Sequence, residues 1–508
     1  MNAKSHHFSR NLLLPALVAV GITVAGCVKE RKNTEQESVV DDNGLNVSVT
    51  EPVERDFEEI ENSGVLRMIT NYSSNTYFLH QGIERGFEYE LVREFANEHD
   101  LALEVVIVGP NENPYDLLNS GAGDLIAANY TITPERKKYV NFTRPYNLVN
   151  QMIVFSDEVV NPPSTLEELA QRDIPISVRR NSSYFNRLQE LQSQGYDFEI
   201  RLASSDMDTE SLLFELARNN RLATVADNNM YQASSTYMNN LMKGPTIARN
   251  DTIAWAIRQN SPDLESRMNR FMYKHFRFSA QEGQPKRSTF LNVLRKRYFE
   301  GDKPVAEFFR PASEIEGTGI ISPYDDLIRT VADSADIDWL MVASIIAQET
   351  KFNPNSKSWA GAVGLMQVMP QFSQVKNEQL LYDAEVNLRE GVRIIKEHLK
   401  HYSYLDSTNQ WAFALATYNA GPGHVADARR LAIDHNKNPN EWENVSDALL
   451  KLMQRKYYKD ARFGFCRGIE TVRYVKEIIN RHKTYESILA MTEHKMAQRQ
   501  LSMVGMLN

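Results

Sequence analysis

Only two cysteines occur in 508 residues, Cys27 and Cys466, and they lie in very different segments. A structural disulfide is therefore not expected, and no Cys/His cluster has the spacing of a zinc site. Positive charge is in deficit too. The formal net charge is −9, which removes the electrostatic case for nucleic-acid binding. The deficit is uneven: residues 319–486 carry 21 Lys/Arg against 21 Asp/Glu. The C-terminal half can approach an anionic polymer without a large repulsive field. Acids are scarce at one telling place. "QETKFNPNSKSWAGAVGLMQVMP", Gln348 to Pro370, holds a single carboxylate, Glu349, at the end of an apolar run. The rest of the composition, 42% hydrophobic and 24% charged, is that of a globular chain long enough for two or three domains.

The N-terminus reads as an address. Lys4 and Arg10 precede an apolar stretch, Leu12 to Val24, of signal-peptide length and too short for a comfortable membrane span. "VAGC" resembles a bacterial lipobox. That resemblance implies removal of a lipoprotein signal peptide, residues 1–26, and acylation of Cys27, whose chains would hold the protein on a membrane. Val28, rather than Asp, follows the cysteine and favours the outer membrane of a Gram-negative cell, facing the periplasm. Residues 27–59 are polar, poor in aromatics, and read as a flexible tether.

From residue 60 the pattern changes. "VLRMIT" and "LALEVVIVG" read as strands, and "FEYELVREFANEHD" has helical apolar spacing at Leu91, Val92, Phe95 and Ala96. "YDLLNSGAGDLIAANY" reads as helix, Gly turn and strand. Strands alternating with helices predict an α/β domain with a mainly parallel sheet. "GFEYELVREFANEH", "LLNSGAGDLIAANYTITPERKKYVNFTRPY" and "ATVADNNMY" resemble the periplasmic solute-binding proteins of family 3. The resemblance implies a two-lobed regulatory domain over 60–275. Arg136 would grip a ligand carboxylate through its planar fork, and Asp227 would face a ligand amino group. Tyr72, with Tyr77 and Phe78, would stand in the aromatic region. Ser182 and Ser183 would offer hydroxyls and backbone donors at a helix start. The ligand, whether a free amino acid or a muropeptide, stays open, because "SSNTYF" lacks the family's usual Pro-Pro-Phe character.

Residues 276–319 are charged and end in Gly-Thr-Gly, which reads as a basic amphipathic helix and a loose linker. Beyond 319 the pattern is helical. Ser322-Pro323 reads as an N-cap with Pro at the first helical position, and a second helix is expected from about Asp338. Val342, Ile345, Ile346 and Glu349 share one face, which puts Glu349 among apolar neighbours near a helix C-terminus. Desolvation and the negative end of the helix dipole both favour its protonated form, as a general acid requires. Lys351 is expected to point to solvent.

"QETKFNPNSKSWAGAVGLMQVMP", "LYDAEVNLREGVRIIKEHL", "ALATYNAGPGHV" and "GIETVRYVKEII" follow one another as do the motifs of the soluble-lytic-transglycosylase, goose-type-lysozyme-like family, which they closely resemble. The resemblance implies a mainly α catalytic domain over 320–490, followed by a tail, 491–508. It implies a peptidoglycan lyase that needs neither metal nor cofactor. Glu349 would be its single acid and base, cutting between N-acetylmuramic acid and N-acetylglucosamine with the muramoyl C6 hydroxyl as nucleophile. Ser358 and Gln367 would hydrogen-bond sugar or acetamido groups, and Met366 would line the groove. Tyr418 and Asn419 would sit across from Glu349, with the Tyr418 hydroxyl helping to orient the acid or the acetamide. Tyr474 would contact sugar or pack in the core; Glu470 would anchor helices; Gly421 and Gly423 would allow close backbone approach. Expected partners are glycan strands, a membrane through the lipid anchor, and no nucleic acid. The alternatives are a glycan- and peptide-binding sensor lipoprotein without turnover, and a muramidase that uses water.

Overall fold

Apolar β-branched runs set the first strands. In the structure, a computed structural model, residues 39–40, 46–47, 51–109, 112–204, 207–278, 283–300 and 321–506 are described. The predicted leader, Cys27 and most of the tether lie outside them. Strand β1, Val65–Thr70, pairs in parallel with β2, Ala102–Ile107, and with β3, Leu125–Ile126. The helix Phe87–Glu98 connects β1 to β2 and buries Leu91, Val92, Phe95 and Ala96, as its spacing predicts. β4, Asn141–Phe142, completes the chain's first pass through this sheet.

The chain then crosses to a second sheet. It holds β5, Asn147–Ser156, β6, Ile176–Val178, β7, Ile200–Leu202, β8, Ala223–Asp227, and β9, Leu241–Ile253. Their order is β7-β6-β8-β5-β9. β10, Ala256–Ile257, returns to the first sheet, whose order is β2-β1-β3-β10-β4. Two five-stranded lobes are thus joined at two crossings. The crossings are themselves paired: Tyr146 N–H donates to Ile253 O at 3.0 Å.

The predicted linker is corrected over its first part. Residues 283–300 pack onto the first lobe instead of hanging loose. Ser288 caps the helix Thr289–Arg295, and Leu291, Leu294, Tyr298 and Phe299 are buried. The Tyr298 hydroxyl donates to Glu90 at 2.6 Å and accepts from Gly86 N–H at 2.8 Å. Aromatic spacing at 298–299 made this segment part of the core. The remainder of the predicted linker, 301–319, lies outside the described residues.

The C-terminal half is helical: α1 Asp325–Ala335, α2 Trp339–Thr350, α3 Ala384–His401, α4 Ser407–Ala420, α5 Pro422–Asp434, α6 Trp442–Lys451 and α7 Gly468–Met506, with a short turn of helix at Arg455–Tyr458. α1 starts later than Ser322-Pro323 suggests. Asp325 draws in the backbone N–H groups of Ile321 and Ser322 and the Ser322 hydroxyl at 2.8–2.9 Å, so the pre-helix loop folds over the helix start. α2 starts where expected, with Asp338 accepting from Leu340 N–H. It is buried all round from Leu340 to Ala347, not on one face.

α7 runs unbroken through the predicted boundary at residue 490. Thr484 donates to Val105 O at 2.9 Å, and Lys483 pairs with Glu104 at 3.6 Å. The helix thereby covers the open edge of the first sheet, an edge that proteins seldom leave bare. One hydrophobic cluster runs from Phe57 in the first lobe through α2 and α7 to Met491.

Candidate active site and ligand cleft

Glu349 occupies the last turn of α2. The helix ends at Lys351, which is left-handed with φ 52° and exposed to solvent, as expected. The Glu349 side chain is half-buried. Tyr474, reaching from α7, donates its hydroxyl to Glu349 Oε1 at 2.6 Å. Burial raises the Glu349 carboxyl to about 7, and the Tyr474 donor restrains that rise by favouring the ionised form. Burial, then the Glu349 charge, pushes the Tyr418 and Tyr474 hydroxyls well above the usual phenol range. The lone acid, α7 and the Tyr-Asn-Ala-Gly end of α4 therefore share one site. Glu390, another acid whose charge reaches Tyr418, is committed elsewhere: it pairs with Arg393 at 2.7 Å and accepts from Gln374 N–H at 2.6 Å.

The loop after Glu349 is held by backbone contacts. The Thr350 hydroxyl donates to Leu365 O at 2.9 Å. Ser358 Oγ accepts from Ala362 N–H at 2.9 Å. The Gln367 amide donates to Gly364 O at 3.0 Å and Ser356 O at 3.3 Å. Asn387 of α3 is the central pin. Its amide donates to Val363 O at 2.7 Å and Leu381 O at 2.8 Å, and its oxygen accepts from Met366 N–H at 2.9 Å. Sequence reasoning missed Asn387 as a site residue, although the N-x-x-x-G block that contains it was visible.

Three expected roles are corrected. Met366 is fully buried and does not line a groove with its side chain; its sulfur fills the space above Gly391, where a Cβ would collide with it. Tyr418 does not hold the acid. Its hydroxyl donates to Met366 O at 2.7 Å, fixing the loop, while Tyr474 holds Glu349. Glu470 does not anchor helices, since it is exposed and pairs with Arg467 one turn away at 3.2 Å. Asn419 Oδ1 accepts from the Thr471 hydroxyl at 2.9 Å, joining α4 to α7.

Comparison with known proteins places this geometry. The family described as "Transglycosylase SLT domain" matches residues 326–441, and "Bacterial extracellular solute-binding proteins, family 3" matches residues 66–277. A membrane-bound lytic murein transglycosylase F from Desulfosudis oleivorans is 30% identical over 85% of this chain and 91% of its own. The chain belongs to the membrane-bound lytic murein transglycosylase F family. A relative of the same name from Shewanella woodyi is 32% identical over 82% of this chain and 83% of its own. Among solved structures, the ancestral amino acid-binding protein AncCDT-1 matches at 22% identity with a TM-score of 0.40, covering 48% of this chain and 98% of that one. That likeness is too slight to inform the ligand. Among the described residues of this family member, no helix is long and apolar enough to cross a membrane.

Its second site is a cleft of about 700 Å³ between the lobes, lined by Tyr72, Asn75, Arg136, Arg179, Ser182 and Glu210 among others. Three of the four predicted ligand residues therefore meet there. Arg136 is buried, donates to Thr131 O at 2.8 Å, and lies over the Tyr130 ring at 4.6 Å. The Ser182 hydroxyl caps its helix, accepting from Phe185 N–H at 3.2 Å. Asp227 stands behind the wall. It accepts from Asn129 at 2.9 Å, and burial raises its carboxyl to about 7. Tyr77 and Phe78 are core residues.

Glu210 was missed because it reads as an ordinary acid in the first turn of a helix. It is buried, with its carboxyl raised by desolvation to about 8. It accepts from Ser74 N–H of the opposite lobe at 2.8 Å, and so ties the two lobes together at the cleft.

Proposed function

We propose that this chain is a peptidoglycan lytic transglycosylase, a carbon–oxygen lyase that cuts the β-1,4 bond between N-acetylmuramic acid and N-acetylglucosamine without water. The observation that carries this reading is a solitary half-buried carboxyl held by the Tyr474 hydroxyl at 2.6 Å, which burial, raising it to about 7, keeps substantially protonated at neutral pH. Hydrolases of glycosides commonly need a second carboxylate as nucleophile or base. Glu349 instead has a phenol as its hydrogen-bond partner, and Glu390 is tied up by Arg393.

In the proposed reaction Glu349 gives its proton to the glycosidic oxygen as the bond to muramoyl C1 breaks. The N-acetylglucosamine side leaves as an alcohol. The muramoyl N-acetyl carbonyl stabilises the cationic C1. Glu349, now a carboxylate steadied by the Tyr474 hydroxyl, takes the proton of the muramoyl C6 hydroxyl. That oxygen bonds to C1 and closes a 1,6-anhydro ring. The Asn419 amide N–H group, the Ser358 hydroxyl proton and the Gln367 side-chain oxygen are proposed to meet the sugar and its acetamido group.

The two-lobed domain is proposed to modulate the enzyme by binding a carboxylate-bearing amino acid or muropeptide, with Arg136 on the carboxylate. Acylated Cys27 would hold the enzyme on the periplasmic face of the outer membrane. The full chain and Glu349→Gln, each incubated with murein sacculi, test the enzyme reading. Soluble muropeptides are expected from the first alone. Equal release by Glu349→Gln would overturn the assignment, and no release by either would favour a binding lipoprotein.

A further inference from the structure

The hairpin of strands Phe78–His80 and Ile83–Arg85 belongs to the first lobe, yet it stands against the catalytic helices. Its turn residues, Gln81 and Gly82, have φ of 52° and 79°. Two successive positive φ values are what a tight hairpin turn needs. A Cβ on Gly82 would overlap the Phe352 ring. Phe352 is buried and lies three residues after Glu349.

The second contact runs through Glu84. It accepts from the hydroxyls of Tyr77 at 3.1 Å and Tyr89 at 3.0 Å, and from Arg481 of α7 at 3.5 Å. The same guanidinium donates to Gln348 Oε1 at 2.9 Å. Gln348 in turn donates to Glu477 at 2.6 Å. Glu477 and Arg481 thus grip the residue beside Glu349, and Tyr474, one turn earlier on α7, grips Glu349 itself. The hairpin is also fastened to the ligand cleft: the Tyr72 hydroxyl accepts from Leu79 N–H at 3.3 Å, and Tyr72 lines the cleft.

We infer that the hairpin Phe78–Arg85 is a positioning element for Glu349, holding through Phe352 and Arg481 the register in which Tyr474 donates to the acid. The inference rests on Glu349 being the acid of the proposed reaction. The required tolerance is small. One residue of helix rise is about 1.5 Å, enough to take a 2.6 Å hydrogen bond out of range. A ligand that shifts the hairpin at Tyr72 acts on the acid to the extent that it binds the two arrangements differently.

The test uses the full chain with sacculi as substrate. Turnover, KM and the pH profile are measured for Glu84→Gln, Phe352→Ala, Tyr474→Phe and Glu349→Gln. Misplacing a catalytic group by about 1 Å costs on the order of tenfold to a hundredfold, so Glu84→Gln and Phe352→Ala are expected to lose roughly tenfold in kcat with KM within about twofold. Their basic limb moves to higher pH, as it does in Tyr474→Phe, because the donor that favours ionised Glu349 is lost. Adding Glu84→Gln to Tyr474→Phe moves the limb no further. A lowered melting temperature with kcat and the basic limb unchanged in both hairpin variants would overturn the inference. Glu349→Gln separates the two claims. If it is active, the acid assignment fails; if it is dead while the hairpin variants match the parent, the hairpin inference alone fails.

Discussion

Tyr474→Phe isolates the single hydrogen bond to Glu349. The ring stays in place and the hydroxyl that donates at 2.6 Å is removed. A hydrogen bond to a charged group contributes about 1.5–3 kcal/mol, and one pKa unit corresponds to about 1.4 kcal/mol. The partner favours the carboxylate over the acid by only part of that, so the acid is expected to rise by about one unit from its value near 7. The sign follows from the mechanism. The first step requires protonated Glu349, so activity falls as pH climbs through its pKa. Without Tyr474 that fall comes later, near pH 8. Maximal turnover drops at the same time, since the carboxyl loses its orientation. The assay is release of soluble muropeptides from sacculi between pH 5 and 9. A basic limb that stays put, or moves to lower pH, would refute the claim that Tyr474 stabilises the ionised acid.

Other consequences are independent of turnover. Glu349→Gln is expected to stabilise the protein at pH 8 but not at pH 4. A carboxyl raised from 4.5 to about 7 costs stability above its unfolded pKa, fully so above 7, with an upper bound of about 3.4 kcal/mol; denaturant midpoints at the two pH values check this. Asn387→Ala strands three backbone groups around the motif loop, and a loss of about 3 kcal/mol or more is expected in the same assay. Gly391→Ala should lower the melting temperature by displacing the buried Met366 side chain. Arg136→Ala should abolish the thermal shift produced by carboxylate-bearing amino acids or stem peptides, because the cleft loses a buried cation; an undiminished shift would place the ligand carboxylate elsewhere.

Much of the molecule was legible because its signals are local. The first strand, the helix Phe87–Glu98 and the start of α2 near Asp338 lie where apolar spacing puts them. The burial of Glu349 and the rise in its pKa also followed from neighbours on its own helix. What escaped were contacts made over long sequence separations. Tyr418 and Tyr474 are both tyrosines of family motifs, and spacing does not tell which reaches the acid; α7, 125 residues on, decides it. Met366 read as a groove wall from the family resemblance of its motif, yet Gly391 on another helix leaves a slot that the side chain fills. Glu210 went unnoticed as one more acid in a first helical turn, yet it is buried and bonded to Ser74 of the opposite lobe. The stretch after residue 276 looked charged and loose, whereas its Tyr298 is buried and bonded to Glu90 and Gly86.

The central claim is that one carboxyl both gives and recovers a proton while the sugar supplies its own nucleophile. Digesting sacculi in water enriched in oxygen-18 and weighing the released muropeptides tests it directly. The account predicts unlabelled muramoyl ends, lighter by one water than a reducing end. Heavy-oxygen label at muramoyl C1 would mean that water attacks, and would contradict it.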